Sequence, residues 1–241
     1  MNLLVDIGNT RIKAAVFDGN ELLQTFVFDT INELIDESDL ISDIKNCGIT
    51  SVTSEHESFL NKLPSNIQLV YFNSETKIPI KNCYKSPLTL GTDRLIASVG
   101  SFGFFPNQNV LTIDAGTCIK YNFVNNANEF LGGAISPGIF MRLKAMNQFT
   151  HALPLVEFDR TYNSLVGTDT QQSLLSGALM GTIAEVDEMI NNYFLKYPNL
   201  QVVLTGGDSD YLGKQLKSRL FANQNLLLYG LNTILNYNLE K

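Results

Sequence analysis

Leu3, Leu4 and Val5 form a short apolar run that ends on Asp6 and passes into Gly8, Asn9 and Thr10. Beyond it Ile12, Ala14 and Val16 recur at every second position, the period of a strand face. Asp18-Gly19-Asn20 supplies the positive φ that a hairpin turn needs, and Leu22 to Phe28 completes a three-stranded meander. The same order returns in mid-chain. Val110-Leu111-Thr112-Ile113 runs into Asp114-Ala115-Gly116-Thr117, an alternating strand follows from Cys118 to Val124, and a turn at Asn125-Asn126-Ala127-Asn128 leads to a strand from Phe130 to Ile135. Asp6 and Asp114 hold equivalent places 108 residues apart. Self-similarity of this kind predicts a duplicated domain.

After each meander the period changes. The first copy continues with helical spacing from Ile31 to Ile41, a strand from Ile49 to Val52, a short helix from Glu57 to Leu63 and a strand from Ile67 to Phe72. An irregular stretch, 73–90, precedes a helix from Asp93 to Phe102. The second copy continues with a helix from Ile139 to Phe149, a long helix from Thr170 to Leu195, a strand at Val202-Val203-Leu204, and helices from Asp210 to Leu220 and from Leu231 to Leu239. Meanders followed by alternating helices and strands predict an α/β chain of two mixed-sheet domains. The expected lobes are 1–108 and 109–241, with the active-site cleft between them.

The chemistry concentrates at the strand ends. In Asp-x-Gly-[Asn/Thr] the glycine lets a ligand approach the backbone, and successive N–H groups with a hydroxyl make an anion nest. The aspartate repels phosphate directly but can hold Mg²⁺ or its waters. On this reading Asp6, Gly8, Asn9, Thr10 and Lys13 cradle the β/γ end of a nucleotide. One such turn is equally an ordinary hairpin; two at matching places of a repeat favour the nucleotide. Thr205-Gly206-Gly207-Asp208 after a strand, and Gly132 to Gly138 before a helix, are further backbone approaches to phosphate or ribose. Gly91-Thr92-Asp93-Arg94 opens a helix with an acid and a guanidinium side by side; taken alone, helix capping and a surface ion pair explain them. Gly177 and Gly181 bare one face of the long helix for close packing or for a nucleotide base, and Thr170 and Ser173 at its start either cap it or bind a polar substrate. His56 and His151 are expected at the surface or in packing roles, and Phe102, Phe104 and Phe105 in the core. Neither G-x-x-x-x-G-K-[ST] nor G-x-G-x-x-G occurs, so a nucleotide site must be two-lobed.

Composition narrows the partners. With 17 basic against 24 acidic residues the net charge is −7, which disfavours a general nucleic-acid binder. Hydrophobic residues make up 44% of the chain, too many for disorder, yet no run approaches the roughly 18 that a membrane helix needs. Met1 to Asp6 lack a basic segment, so no signal peptide is expected. Cys47, Cys83 and Cys118 are odd in number and far apart, as reduced cytoplasmic thiols would be. With two histidines, a His-rich zinc site is excluded in favour of a hard ion held by oxygens.

Taken in order, these motifs resemble the type III pantothenate kinases of bacterial coenzyme A biosynthesis, members of the acetate and sugar kinase, heat-shock cognate and actin superfamily. The match runs from Asp6-Ile7-Gly8-Asn9-Thr10 through Gly91-Thr92-Asp93-Arg94, Asp114-Ala115-Gly116-Thr117, Gly132 to Gly138 and Thr170-x-x-Ser173-x-x-Ser176-Gly177 to Thr205-Gly206-Gly207-Asp208, and ends on Gly230-Leu231-Asn232 before a last helix. The resemblance implies two duplicated ribonuclease H-like (actin-like ATPase) domains, each a mixed five-stranded sheet with helices, and ATP-dependent phosphorylation of pantothenate to 4′-phosphopantothenate. ATP phosphates would lie on Asp6, Ile7, Gly8, Asn9, Thr10, Arg11, Ile12 and Lys13, with Thr117 contacting ATP from the second lobe. Asp93 would be the general base; Tyr84, Gly91, Thr92, Asp93, Arg94 and Thr170 would hold pantothenate. Asp114 would bind a monovalent cation, K⁺ or NH₄⁺, needed beside Mg²⁺, and the protein would be a homodimer with its substrate pocket near the subunit interface. Thr92 stands where the family usually has Ala, and Asp169 where it has Asn. Cys118-Ile119-Lys120-Tyr121-Asn122 replaces a usual Ala-x-Thr-Phe-Asp, so Lys120 is a possible stand-in for K⁺. A kinase of another small alcohol and a non-catalytic ATP-binding accessory protein are the competing readings.

Overall fold

The structure, a computed structural model, describes residues 1–8, 11–37, 44–51 and 56–239. Asn9, Thr10, the end of the helix expected to reach Ile41, the strand end at Val52 and the side chain of His56 lie outside the described residues. The chain divides into two units: Met1–Pro106 with Asn128–Phe130 and Asn225–Lys241, and Asn107–Ala127 with Leu131–Gln224.

In the first unit, β1 (Asn2–Ile7) is apolar on both faces and buried along its length except at Asp6, as a central strand must be. It pairs antiparallel with β2 (Ile12–Asp18) and parallel with β4 (Asn46–Ser51). β3 (Glu21–Phe28), largely exposed, and β5 (Gln68–Tyr71) take the edges, giving the order β3-β2-β1-β4-β5. α1 (Ile31–Asp36) and α2 (His56–Leu60) follow the meander and β4. The core on this side holds Leu3, Val5, Ile7, Ile12, Ala14 and Phe59.

Two further helices pack in this unit, α3 (Thr92–Phe104) and α7 (Leu226–Leu239). Gly230 lies inside α7, not before it as the sequence suggested, and so α7 starts at Leu226 rather than Leu231. The glycine is there for closeness: a Cβ at Gly230 would stand 2.1 Å from the Ile96 carbonyl oxygen. α7 also carries Asn232, buried among amides. Asn2 Nδ2 donates to Asn232 Oδ1 at 2.9 Å and to Asn236 Oδ1 at 2.8 Å, and Asn46 Nδ2 donates to Asn2 Oδ1 at 2.8 Å. The last helix therefore completes the first unit, which corrects the expected second lobe of 109–241.

In the second unit the plan repeats. β7 (Val110–Ala115) pairs antiparallel with β8 (Cys118–Val124) and parallel with β10 (Gln201–Thr205), which pairs in turn with β11 (Phe221–Ala222). With β9 (Glu129–Pro137) beside β8 the order β9-β8-β7-β10-β11 matches that of the first sheet. A two-residue strand, β6 (Lys81–Asn82), pairs with Glu129 and Phe130 at the start of β9, so this sheet has a sixth strand beyond the expected five. α4 (Ile139–Gln148), α5 (Thr170–Lys196) and α6 (Ser209–Gln215) complete the unit. α6 is shorter than the expected Asp210 to Leu220, because Leu216 turns extended and the chain goes on to form β11. Among the described residues, no atom beyond the adjoining residues and the helix's own backbone stands within 4 Å of an added Cβ at Gly177 or Gly181. Close packing within the described chain therefore does not explain them, and Gly177→Ala is expected to raise stability by up to about 1 kcal/mol in a denaturant titration.

Buried Cys47 has its thiol pushed up to about 12 by desolvation, so alkylation at neutral pH should label it only after unfolding.

Candidate active site

Each sheet ends its central strand in a tight Asp-x-Gly hairpin. In the first, Asp6 faces Lys13 across the β1–β2 ladder, Ile7 faces Ile12, and Gly8 N donates to Arg11 O at 3.1 Å. Ile7 and Ile12 are buried in the core, so only their backbones are available to a ligand. Arg11 forms an exposed ion pair with Asp29 at 3.8 Å, of a kind that adds little.

The predicted substrate residues of the first unit gather at the start of α3. Gly91 is the N-cap without a side-chain bond, and Asp93, in the first turn, accepts from the Arg94 N–H through Oδ1 at 2.9 Å. Arg94 is 5% exposed, not the surface ion pair its type suggested. Its guanidinium carbon stands 5.6 Å from the Tyr84 ring centroid and 5.9 Å from that of Phe130, a cation–π bracket that removes the head from water. Tyr84 is set by its N–H donating to Asn82 Oδ1 at 3.0 Å. Phe130, buried in β9, was missed from sequence because an apolar strand residue carries no mark of a ligand-side role.

In the second unit two glycine-bearing segments converge on the Asp114–Thr117 hairpin, itself closed on a glycine. Gly116 N donates to Cys118 O at 3.1 Å, Gly138 N to Thr117 O at 3.0 Å, and Asp208 N to Ala115 O at 3.0 Å. No side chain fits between them: a Cβ on Gly138 would lie 2.1 Å from Gly116 O, and one on Gly206, at φ +95°, 2.3 Å from Ala115 O. Motifs far apart in sequence thus form one backbone cradle. Thr205 Oγ1, beside it in β10, is buried and has no hydrogen-bond partner among the described residues. Asp208 accepts from Arg160 at 2.8 Å, and Arg160 lies over Phe158. Burial raises the Asp208 carboxyl above its ordinary range although Arg160 opposes this. Arg160 went unnoticed between the helices expected from Ile139 to Phe149 and from Thr170 to Leu195.

Asp114 was expected to hold a monovalent cation. Its Oδ2 instead receives the Lys120 ammonium at 2.8 Å, with the two side chains 12% and 23% exposed. The residues present do not fit a free ion on that oxygen.

Thr170, the first residue of α5, is exposed. Capping is done by others: Asp169 accepts from Gln172 N at 2.8 Å, and Gln172 Oε1 accepts from the Thr168 N–H and hydroxyl. Thr170 is thereby left to line a cavity of about 460 Å³ with Leu153, Gly167, Thr168, Ser173 and Leu174.

Below β8 and β9 lies a polar cluster that sequence reasoning missed. Glu185 of α5 accepts from Tyr121, Ser136 and Arg142, and Arg142 Nε also donates to Pro137 O at 2.9 Å. Glu185 so ties the end of β9, at Ser136-Pro137, to α5. Desolvation pushes its carboxyl up, but the Ser136 and Arg142 bonds outweigh it and hold it below the ordinary range. A lowered carboxyl stabilises the fold above its unfolded pKa and ceases to as pH falls through the folded value. Glu185→Gln should accordingly flatten the loss of stability below about pH 4.5, read as the urea midpoint against pH.

Two units of shared strand order, each with an Asp-x-Gly hairpin on its central strand, define an actin-like ATPase fold of the kind used by sugar kinases. Solved structures agree: a Baf family protein from Campylobacter jejuni aligns over 99% of this chain and all of its own, with TM-score 0.65 and 20% identity. The ROK hexokinase of Thermus thermophilus aligns over 98% and 99%, with TM-score 0.52 and 13% identity. The family model of type III pantothenate kinase matches residues 2–192. The type III pantothenate kinase of Flavobacterium johnsoniae is 41% identical over 100% of this chain and 99% of its own, and that of Bacteroides fragilis YCH46 is 41% identical over 99% and 98%. The chain belongs to the type III pantothenate kinase family.

Proposed function

We propose that this chain transfers the γ-phosphoryl group of ATP to the primary hydroxyl of pantothenate, giving 4′-phosphopantothenate for coenzyme A biosynthesis. The observation that carries the reading is the start of α3, where Asp93 stands in the first turn beside a guanidinium held between two aromatic rings. Phosphoryl transfer needs placement and charge neutralisation more than covalent help. Asp93 orients the hydroxyl and takes its proton as the new P–O bond forms. Arg94, rigid between Tyr84 and Phe130, receives the substrate carboxylate, and Thr170 adds a hydroxyl. The Asp6–Lys13 hairpin and Thr117 bind the ATP phosphates through backbone N–H groups.

Mg²⁺, when bound, neutralises phosphate charge. Among the described residues no group of three or more His, Cys, Asp and Glu side chains is placed to hold an ion, which suits Mg²⁺ carried by phosphate oxygens and water.

The protein acts as a homodimer on this reading, supported by exposed Ile135, Phe140, Phe149, Leu155, Leu165 and Val166, all in the second unit. Light scattering should return twice the chain mass. No helix among the described residues is long and apolar enough to cross a membrane. Three free cysteines support a cytoplasmic place.

A coupled ADP-release assay with pantothenate, acetate and hexoses tests the reaction. Release with pantothenate alone supports it; release with another alcohol, or ATP binding without turnover on any, overturns it. Arg94→Lys keeps the charge but loses the planar fit between the rings, and should raise the KM for pantothenate about tenfold with kcat little changed.

A further inference from the structure

We infer that Lys120 is a built-in cation for the second hairpin, neutralising Asp114 where a free monovalent ion would otherwise be required, so that this kinase works without one. The inference rests on the kinase reading and concerns the same site.

Leu111, Ile113, Ala115, Ile119, Tyr121 and Phe123 lie in the hydrophobic core, so strand alternation puts Asp114 and Lys120 together on the other face of the sheet. The ladder pairs Asp114 directly with Lys120, and the two side chains meet at 2.8 Å. The first hairpin has the same arrangement, since its ladder pairs Asp6 directly with Lys13. Spacing conceals the equivalence. The first turn places four residues between its last paired positions, Ile7 and Ile12, and the second places three between Ala115 and Ile119. Lysine therefore falls seven positions after one aspartate and six after the other. By register they are the same residue of the repeat.

Charge gives the pair its purpose. Asp114 is the last residue but one of β7, the strand that leads into the backbone cradle of Gly116, Thr117, Gly138 and Asp208. A bare carboxylate beside an anion nest opposes phosphate binding, and something positive must cancel it. A soluble ion does this only when bound; an ammonium carried on the adjacent strand is always present. It also denies a free ion the carboxylate oxygen to which such an ion would be drawn. Lys120 is thus a positioning residue acting through Asp114, and it distinguishes a cation-independent enzyme from a cation-activated one.

The test compares wild type with Lys120→Met, a chain of similar length without charge, in Tris chloride with and without KCl. The inference expects wild-type pantothenate-dependent ADP release to change less than about twofold on adding KCl, while Lys120→Met falls about 10²-fold without K⁺ and regains most of it with K⁺ or NH₄⁺. Calorimetry of MgATP binding without pantothenate gives a readout that needs no turnover. Wild-type affinity should be indifferent to K⁺, and that of Lys120→Met about tenfold weaker in its absence. Tetramethylammonium chloride at equal ionic strength should not restore it. A wild type inactive until K⁺ is added overturns the inference, as does a Lys120→Met enzyme that matches wild type in plain Tris. Should Lys120→Met not fold, the cation response of the wild type decides. If pantothenate proves not to be the substrate, the calorimetric comparison still tests Lys120 separately from the reaction.

Discussion

Asp93→Asn should lower the rate of pantothenate-dependent ADP release by about 10²–10⁴-fold, the usual contribution of a positioned general base, and leave ATP binding within about twofold. The replacement is nearly isosteric. The Asn side-chain oxygen can still accept the Arg94 N–H that Asp93 Oδ1 accepts at 2.9 Å, so the first turn of α3 and the guanidinium behind it stay in place. What disappears is the ability to take a proton. A loss in kcat with little change in KM would identify a group that acts as the P–O bond forms, whereas a rise in KM alone would make Asp93 a binding residue. The comparison needs single-turnover rates and calorimetry of MgATP on the same preparation. If the variant kept a tenth of the wild-type rate, the base would have to be sought elsewhere.

Gly230→Ala should destabilise the protein by about 2 kcal/mol, although alanine is the better helix former. Two effects oppose each other. In an exposed helix the exchange gains up to about 1 kcal/mol. At Gly230 the new methyl would stand 2.1 Å from the Ile96 carbonyl oxygen and 2.9 Å from its carbon, and backbone cannot give way as a side chain can. Overpacking of this kind costs about 1–3 kcal/mol, at its upper end where backbone must move. Gly103→Ala serves as the control on the facing helix, since its Cβ would meet only Thr233 Oγ1 at 3.5 Å, an ordinary contact. Urea midpoints at constant m should fall for the first variant and hold or rise for the second. Equal behaviour of the two would mean that α3 and α7 can move apart without loss.

The parts legible in the sequence were those whose cause is local. The meanders were readable because strand alternation and turn glycines lie within a few residues of each other, and the duplication followed from finding them twice. β6 and β11, two residues each, have no period to detect and exist only because a neighbouring strand offers its edge. Gly230 has the composition of a helix boundary, and only the carbonyl of Ile96 across the crossing shows why it sits inside one. At the site, the Asp-x-Gly turns stood out by residue type and by recurring, whereas Asp93, by itself an ordinary helix cap, was marked only by the family resemblance. The burial of Arg94 depends on Phe130, 36 positions further on, and Asp208 depends on Arg160 in the same non-local way. Lys120 was visible as a departure from the family, but its partnership with Asp114 had to come from the ladder.

Because α7 completes the unit that β1 begins, the order of synthesis and the order of folding cannot coincide. When residue 106 has left the ribosome, Asn2 still lacks Asn232 and α3 still lacks the helix it crosses. The intervening 107–224 must be made first, which at about 5–20 residues per second takes on the order of ten seconds. Until then the newborn first unit exposes the apolar side of α3, and the second unit, whose segments other than 107–127 are contiguous from Leu131 to Gln224, can close before it. A transcript cut short by its last 17 codons would therefore leave the earliest-made part of the protein, not the latest, unable to fold.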